Sequence, residues 1–317
     1  MATKKTTYEA PTPASDKKKA LQTALAQIDK NFGKGTVMCG VTMEEALAKV
    51  GCVPDCAVSG DAPVAYSHRQ SGGLDIYFVA NQSTEPISFT ATFRSAGRQP
   101  ELWEPTTGVT RQLGQFTQTA ATTAVPMKLQ PLESVLVVFA AEGGKAATGK
   151  PNFPDARTVA TLDGGWTAAF DAKMRGPHNA VKMDALEDLS KSTNDSIRYY
   201  SGTIVYTNSF NLASKPKGKL FLNLGDVTAM AKIKVNGQYV GGVWTAPYRV
   251  DISHAVRKGD NSVEIEVVNT WVNRLIGDAH LPADERPTWS PTNPWTSKSP
   301  LQKSGLVGPV VVESLDL

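Results

Sequence analysis

The sequence predicts an all-β protein: a β-sandwich followed by a jelly roll, with one amphipathic helix in front. Three observations point there. Strand-length runs rich in β-branched and aromatic residues recur from residue 75 to the end, each broken by Gly, Pro, Asn or Asp. Asn236-Gly237, a dipeptide suited to type I′ turns, stands between the alternating runs AKIKV and QYVGG. Only residues 15–34 sustain a helical period over several turns.

That helix comes first in the chain. Ser15 is placed to cap it, Ala20, Leu21, Ala24, Leu25, Ile28 and Phe32 share one face, and Gly33 and Gly35 supply the stop. Such a helix needs a surface to pack against, because tertiary packing stabilises most protein helices. A short helical stretch follows at 44–50. The first sandwich is then read from DIYFVANQ (75–82), ISFTATFR (87–94), TRQLGQFTQT (110–119), TAVPMKLQ (123–130) and SVLVVFA (134–140). Residues rich in Gly, Ala and Lys at 144–156 form a linker. The jelly roll begins with TVATLDGGWTAAFD (158–171) and RYYSGTIVYTNSFNL (198–212). It continues through the Asn236-Gly237 hairpin and ends with YRVDISHAV, NSVEIEVVNTW and GPVVVESLDL. The expected domains are therefore 1–40, 41–143 and 157–317, with 144–156 between the last two.

Bulk properties exclude several classes. The chain has 317 residues, of which 41% are hydrophobic and 20% charged, as in ordinary globular proteins. No apolar run approaches the ~20 residues that span a bilayer, which argues against a membrane protein. The first residues, MATKKTTYEAPTPASDKKK, lack the apolar centre of a secretory signal, and the sequence assigns no compartment. Positive charge is concentrated before residue 39 and the remainder is close to neutral, so the body offers no footprint for nucleic acid. Cys39, Cys52 and Cys56 have no zinc-ligand spacing; an oxidising compartment would permit a Cys52–Cys56 disulfide, and free thiols are the default. The stretch GKAATGKP (144–151) satisfies G-x-x-x-x-G-K, but Pro151 stands where a Mg²⁺-binding hydroxyl is needed and no helix follows, so an ATPase is not expected.

Two resemblances are legible. KKKALQTALAQIDKNFGKGTVM (17–38) resembles the N-terminus of RecA recombinases, where this helix packs against a neighbouring protomer. The ATP-binding core of that family does not follow. RYYSGTIVYTNSF, LNLGDVTAMAKIKVNGQYVGGVWTAPYRVDIS, GDNSVEIEVVNTWVNRLIGD and SGLVGPVVVES, in that order, resemble the galactose-binding-like jelly roll of glycoside hydrolase family 2-type enzymes. They are most similar to its form in family 106 α-L-rhamnosidases. AYSHRQSGGLDIYFVANQSTEPISFTATFRSAGRQPELWEPTTG (65–108) resembles the sandwich that precedes that jelly roll. The resemblance implies a ligand that is a plant-type polysaccharide or oligosaccharide. It implies no cofactor, although some such jelly rolls carry a structural Ca²⁺. In that family the chemistry resides in a preceding (α/β)8 barrel, which is the implied partner, and the relatives work in the periplasm or outside the cell. With about 40 residues before the β part, the expectation is a non-catalytic, sugar-binding or scaffolding portion of such a hydrolase; the rival expectation is an interaction fragment carrying a recombinase-type docking helix.

Catalytic candidates are sparse. Glycoside hydrolysis usually needs two carboxyl groups facing one bond. Glu101 and Glu104 flank Trp103, but residues three apart on a strand face opposite ways. Asp184, Glu187 and Asp188 form an acidic run whose usual state is solvated. His68, His178, His254 and His280 are scattered, and His68, placed ahead of a strand, suits packing or a turn. The densest chemistry is VNTWVNRLIGD (268–278). Asn269, Asn273 and Arg274 suit hydrogen bonding to vicinal hydroxyls, Trp271 suits stacking on a sugar face, and Trp289 and Trp295 could widen the platform. The competing structural reading has the two asparagines satisfying backbone groups, Arg274 pairing with Asp278, and Trp271 filling the core.

Overall fold

In a computed structural model of the chain, residues 14–35, 37–142, 150–214 and 218–316 are described. The GKAATGKP stretch lies largely outside them, as does the side chain of Ser15. The chain divides into two compact units, Met1–Asp55 and Cys56–Leu317. The break thus follows the second helix, later in the chain than the residue-40 boundary read from sequence.

The first unit contains α1 (Ala14–Phe32) and α2 (Met43–Lys49). Thr42 and Glu45 close a reciprocal capping box at the start of α2, each side chain bonding the other's backbone N–H. No described side chain of either helix is fully buried, and Leu21 and Phe32 on the apolar stripe of α1 are exposed. None of the described helices is long and apolar enough to cross a membrane.

The second unit is built from strands, as the alternation predicts. Its first half contains β1 (Cys56–Val58), β2 (Val64–Ser71), β3 (Leu74–Asn81), β4 (Ile87–Phe93), β5 (Arg98–Trp103), β6 (Thr110–Gln112), β7 (Thr117–Gln118), β8 (Thr123–Leu129) and β9 (Ser134–Glu142). They form a five-stranded sheet, β2-β3-β9-β5-β6, and a four-stranded sheet, β1-β4-β8-β7. Inward positions such as Tyr77, Val79, Phe93, Val125, Leu129 and Phe139 make one core, with Tyr77, Phe93 and Phe139 in mutual aromatic contact. Two details depart from the sequence reading. Residues 110–119 are two short strands, because Leu113 and Phe116 between them leave the ladder and plug the core. His68 precedes β3 as read, but it lies inside a strand of its own, β2, where it pairs with Tyr77.

The second half contains β10 (Arg157–Thr161), β11 (Trp166–Phe170), β12 (Val181–Met183), α3 (Asp195–Arg198), β13 (Thr203–Leu212), β14 (Lys219–Asn223), β15 (Asp226–Thr228), β16 (Met230–Val235), β17 (Gln238–Val243), β18 (Arg249–Asp251), β19 (Gly259–Val268), α4 (Val272–Asp278), β20 (Gly305–Gly308) and β21 (Val311–Leu315). A six-stranded sheet, β12-β11-β13-β19-β16-β17, faces a four-stranded one, β10-β21-β14-β18, and β15 pairs with β20. A separate core fills the space between, around Trp166, Tyr206, Leu220, Leu222, Ile233 and Ile265. The β16–β17 hairpin turns at Asn236 and Gly237, both with positive φ (52° and 78°), the geometry a type I′ turn requires. The helix α4 was not legible in VNTWVNRLIGD, whose polar side chains obscure the helical period. Cys39 and Cys52 are exposed free thiols, and Cys56 is buried.

Among the described residues an ion pair joins the two halves of this unit. Arg249 on β18 reaches Glu133, next to β9, at 3.7 Å. Burial raises the Glu133 carboxyl above its ordinary value of 4.5, against the pull of the Arg249 guanidinium.

Candidate functional site

The corner after β19 is the candidate site, and its polar side chains turn inward. Asn269 donates to the Tyr200 carbonyl and to Ser304 Oγ, each at 2.8 Å, and accepts from the Gly202 N–H at 2.8 Å. It thereby ties the exit of β19 to the entry of β13 and to the segment before β20. Ser201 Oγ adds a bond to the Thr270 carbonyl. Asn273, buried on α4, donates to the Gln302 carbonyl (2.7 Å) and accepts from the Gln302 N–H (2.8 Å), replacing the partner a strand would have supplied.

Arg274 and Asp278 pair along α4. Arg274 Nε and Nη2 approach Asp278 Oδ1 at 2.8 and 2.7 Å, and the other oxygen, Oδ2, accepts from the Thr288 N–H at 3.2 Å. The Asp278 side chain is only 3% exposed, so the pair is shielded from solvent and also anchors the loop that carries Trp289. Gly277 is required here: a Cβ at that position would lie 2.6 Å from the Tyr199 ring, so the helix could not seat.

The tryptophans lie outside this network. Trp271, at the N-cap of α4, is 51% exposed and Trp289 is 85% exposed, while Trp295 is half-buried. The expectation that Trp271 would fill the core is therefore corrected: it stands where the strand hands over to the helix, on the solvent side. Asn269, Asn273, Arg274 and Asp278 are occupied with protein groups, and what the corner offers to a ligand is aromatic surface.

The other candidates resolve in the same terms. Glu101 accepts from Trp103 Nε1 at 3.0 Å on one side of β5, whereas Glu104 interacts with Arg111 and Glu133. Asp184 and Glu187 are exposed, and Asp188 accepts from the N–H groups of Ser190 and Ser304, capping a turn. His178, His254 and His280 are exposed. Among the described residues no group of three His, Cys, Asp or Glu assembles that could hold a metal ion.

Sequence reasoning missed a cluster in the first sandwich. Asp75 receives Gln70 Nε2 (2.7 Å), Ser95 Oγ (3.1 Å) and Arg98 Nη1 (3.4 Å), and His68 Nε2 lies 3.2 Å away. His68 stacks flat on Tyr77 with ring centroids 4.2 Å apart. Burial pushes the Asp75 carboxyl up, but the bonds from Gln70, His68 and Ser95 outweigh it and hold it below the ordinary 3.8. Ser95 and His68 both bond the carboxylate, so the serine has no base and the set is not a nucleophilic triad. A cavity of about 320 Å³ opens beside Asp75 and Arg98. The available signal was the pairing of His68 with Tyr77 and Gln70 with Asp75, which follows once Gly72-Gly73 is recognised as the hairpin turn.

Two family models match the chain: alpha-L-rhamnosidase over residues 8–118 and glycosyl hydrolase 2 galactose-binding domain-like over residues 179–299. The first match begins ahead of α1 and takes in both helices; the recombinase-like reading of residues 17–38 finds no support. A solved rhamnosidase from Novosphingobium sp. PP1Y superposes with a TM-score of 0.79 at 36% identity, covering 95% of this chain and 29% of that one. A putative beta-glucuronidase from Formosa agariphila is 34% identical over an alignment of 180 residues that covers 49% of this chain and 15% of that protein. A Ruminococcus gnavus beta-glucuronidase aligns with a TM-score of only 0.37 at 22% identity over 51% of this chain and 30% of its own. The chain is a glycosidase-related protein, and it spans less than a third of the length of each of these relatives.

Proposed function

We propose that this chain is a carbohydrate-binding and scaffolding portion of an α-L-rhamnosidase-like glycoside hydrolase, and that it holds no complete hydrolytic site. One observation supports this above the rest: nearly the whole chain overlays less than a third of a rhamnosidase at 36% identity. In this reading the exposed Trp271 and Trp289, and the half-buried Trp295, present ring faces to a sugar near the corner after β19. Asn269, Asn273, Arg274 and Asp278 keep that corner rigid without touching the ligand. Stacking suits such a role because an indole offers large apolar area at little conformational cost.

Titration calorimetry of the whole chain with rhamnose-bearing oligosaccharides tests the reading. Saturable heat, reduced in Trp271→Ala and Trp289→Ala, is the expected result. No heat with any such ligand would sink the binding role, and release of product from an aryl α-L-rhamnoside by the chain alone would sink the non-catalytic one.

A further inference from the structure

A second surface presents aromatic rings to solvent, on the outer face of the six-stranded sheet. The register of β19, β16 and β17 lays it out in three rungs. Val268 pairs with Met230, and Trp244 follows one place beyond the Ala231–Val243 pair. Glu266 pairs with Lys232, and Lys232 with Gly242. Glu264 pairs with Lys234, and Lys234 with Tyr239. Ala231, Ile233, Val235 and Val243 alternate with these positions and are buried in the core, which puts the rungs on the opposite face. The first rung is apolar yet open: Trp244 is 58% exposed, Met230 50% and Val268 37%. Tyr239, 59% exposed, flanks the third.

Between the two aromatic residues the surface is low. A Cβ at Gly242 would lie 3.6 Å from the Tyr239 hydroxyl, so the tyrosine reaches along the strand over a position that has no side chain. The strand β17 is the last of its sheet. From Met230 to Lys234 the rungs span about 13 Å at ~3.3 Å per residue, long enough for more than one sugar ring.

Charge on this face is uneven in one respect. Lys234 Nζ takes both carboxylates, Glu264 at 2.6 Å and Glu266 at 3.1 Å. Among the described residues Lys232, which is exposed on the middle rung beside Gly242, has no ion pair. An unpaired ammonium between two exposed aromatic rings complements a ring that carries a carboxylate.

We propose that the outer face of β16 and β17 binds a uronate-bearing glycan, with sugar rings stacked on Trp244 and Tyr239 and a uronate carboxylate at Lys232. The inference rests on the carbohydrate-binding reading above and adds a second surface and a ligand charge to it. An exposed apolar patch with a polar rim is where a soluble protein meets a ligand or a partner, and the unpaired cation selects an acidic sugar over a neutral one.

The test uses the whole chain with two probes, a galacturonate tetramer and cellotetraose, followed by calorimetry. The galacturonate tetramer should bind more tightly, and its affinity should fall with added salt. Trp244→Ala and Tyr239→Ala should each weaken it by about tenfold, as expected for the loss of one stacked ring. Lys232→Gln should remove the preference for the acidic probe. Tyr66→Ala, an exposed aromatic in the first sandwich, should change neither. Galacturonate binding that survives unchanged in Trp244→Ala, Tyr239→Ala and Lys232→Gln would overturn this surface and leave the general sugar-binding reading standing. Failure of rhamnose-bearing, acidic and neutral probes alike would overturn both. A dimer in sedimentation velocity that Trp244→Ala disperses would also overturn the proposal, by assigning the face to a second copy of the chain.

Discussion

The corner after β19 and the outer face of β16 and β17 belong to the same jelly roll and use their side chains in opposite ways. At the corner, Asn269, Asn273, Arg274 and Asp278 look like ligand groups in the sequence and are consumed internally. On the sheet face, Tyr239 and Trp244 sit in a stretch of unremarkable sequence and stand in solvent. Polar density in a sequence marks a place where the backbone cannot satisfy itself, because buried donors and acceptors must find partners inside the fold. Aromatic exposure marks a place where the fold leaves apolar area uncovered, and only that leftover is available to a ligand.

This contrast gives an ordered set of expectations. Asp278→Ala should cost the most stability, about 3–5 kcal/mol, because it strands the Arg274 guanidinium and frees the loop at Thr288. Chemical denaturation reads it directly, and a loss under 1 kcal/mol would mean that the corner is not a knot. Asn269→Ala comes next at about 2–3 kcal/mol, since it leaves the Tyr200 carbonyl and the Gly202 N–H without their partner. Asn269→Asp would not rescue it fully, because a carboxylate cannot donate to the Tyr200 carbonyl.

The Asp75 cluster extends the comparison to the first sandwich and adds a pH handle. Its carboxyl is depressed in the folded state, so its stabilisation is present above the ordinary value of 3.8 and is lost as pH falls through the lower folded value. Asp75→Asn should cost about 2 kcal/mol at neutral pH and flatten the acid limb of the stability curve. A mutant whose acid transition matches the parent's would assign that limb to other carboxylates. The smallest effect belongs to the sheet face: Trp244→Ala should change unfolding free energy by less than ~0.5 kcal/mol, because an exposed side chain contributes little to folding. A large loss there would show that Trp244 packs against the protein and would erase the distinction between the two regions.

Much of the fold was readable because it rests on local rules. Alternation along ISFTATF and TAVPMKL gives β4 and β8 almost residue for residue, and Asn236-Gly237 gives its hairpin. The α4 helix was lost because its polar residues serve tertiary partners: Asn273 bonds Gln302 and Asp278 bonds Thr288, neither visible within a helical window. The strand β2 that holds His68 was missed because it is largely exposed and shows no clean alternation. At the candidate site, the pairing of Arg274 with Asp278 was read as opposite charges meeting at a corner, without the helix whose four-residue spacing brings them together, and the exposure of Trp271 was not legible.

By itself the sequence determined the strand-rich class, the turn at Asn236-Gly237 and the rhamnosidase-like character of the β region, since each depends on residues close together in the chain or on motifs in order. Tertiary structure alone decided which side chains are free. Val268, Met230 and Trp244 become neighbours only when antiparallel register brings β19, β16 and β17 side by side, and the asparagines at the corner lose their freedom only when the entry to β13 and the segment at Gln302 close on them. A hydrogen bond or a patch is a relation between distant segments, and no local pattern encodes it.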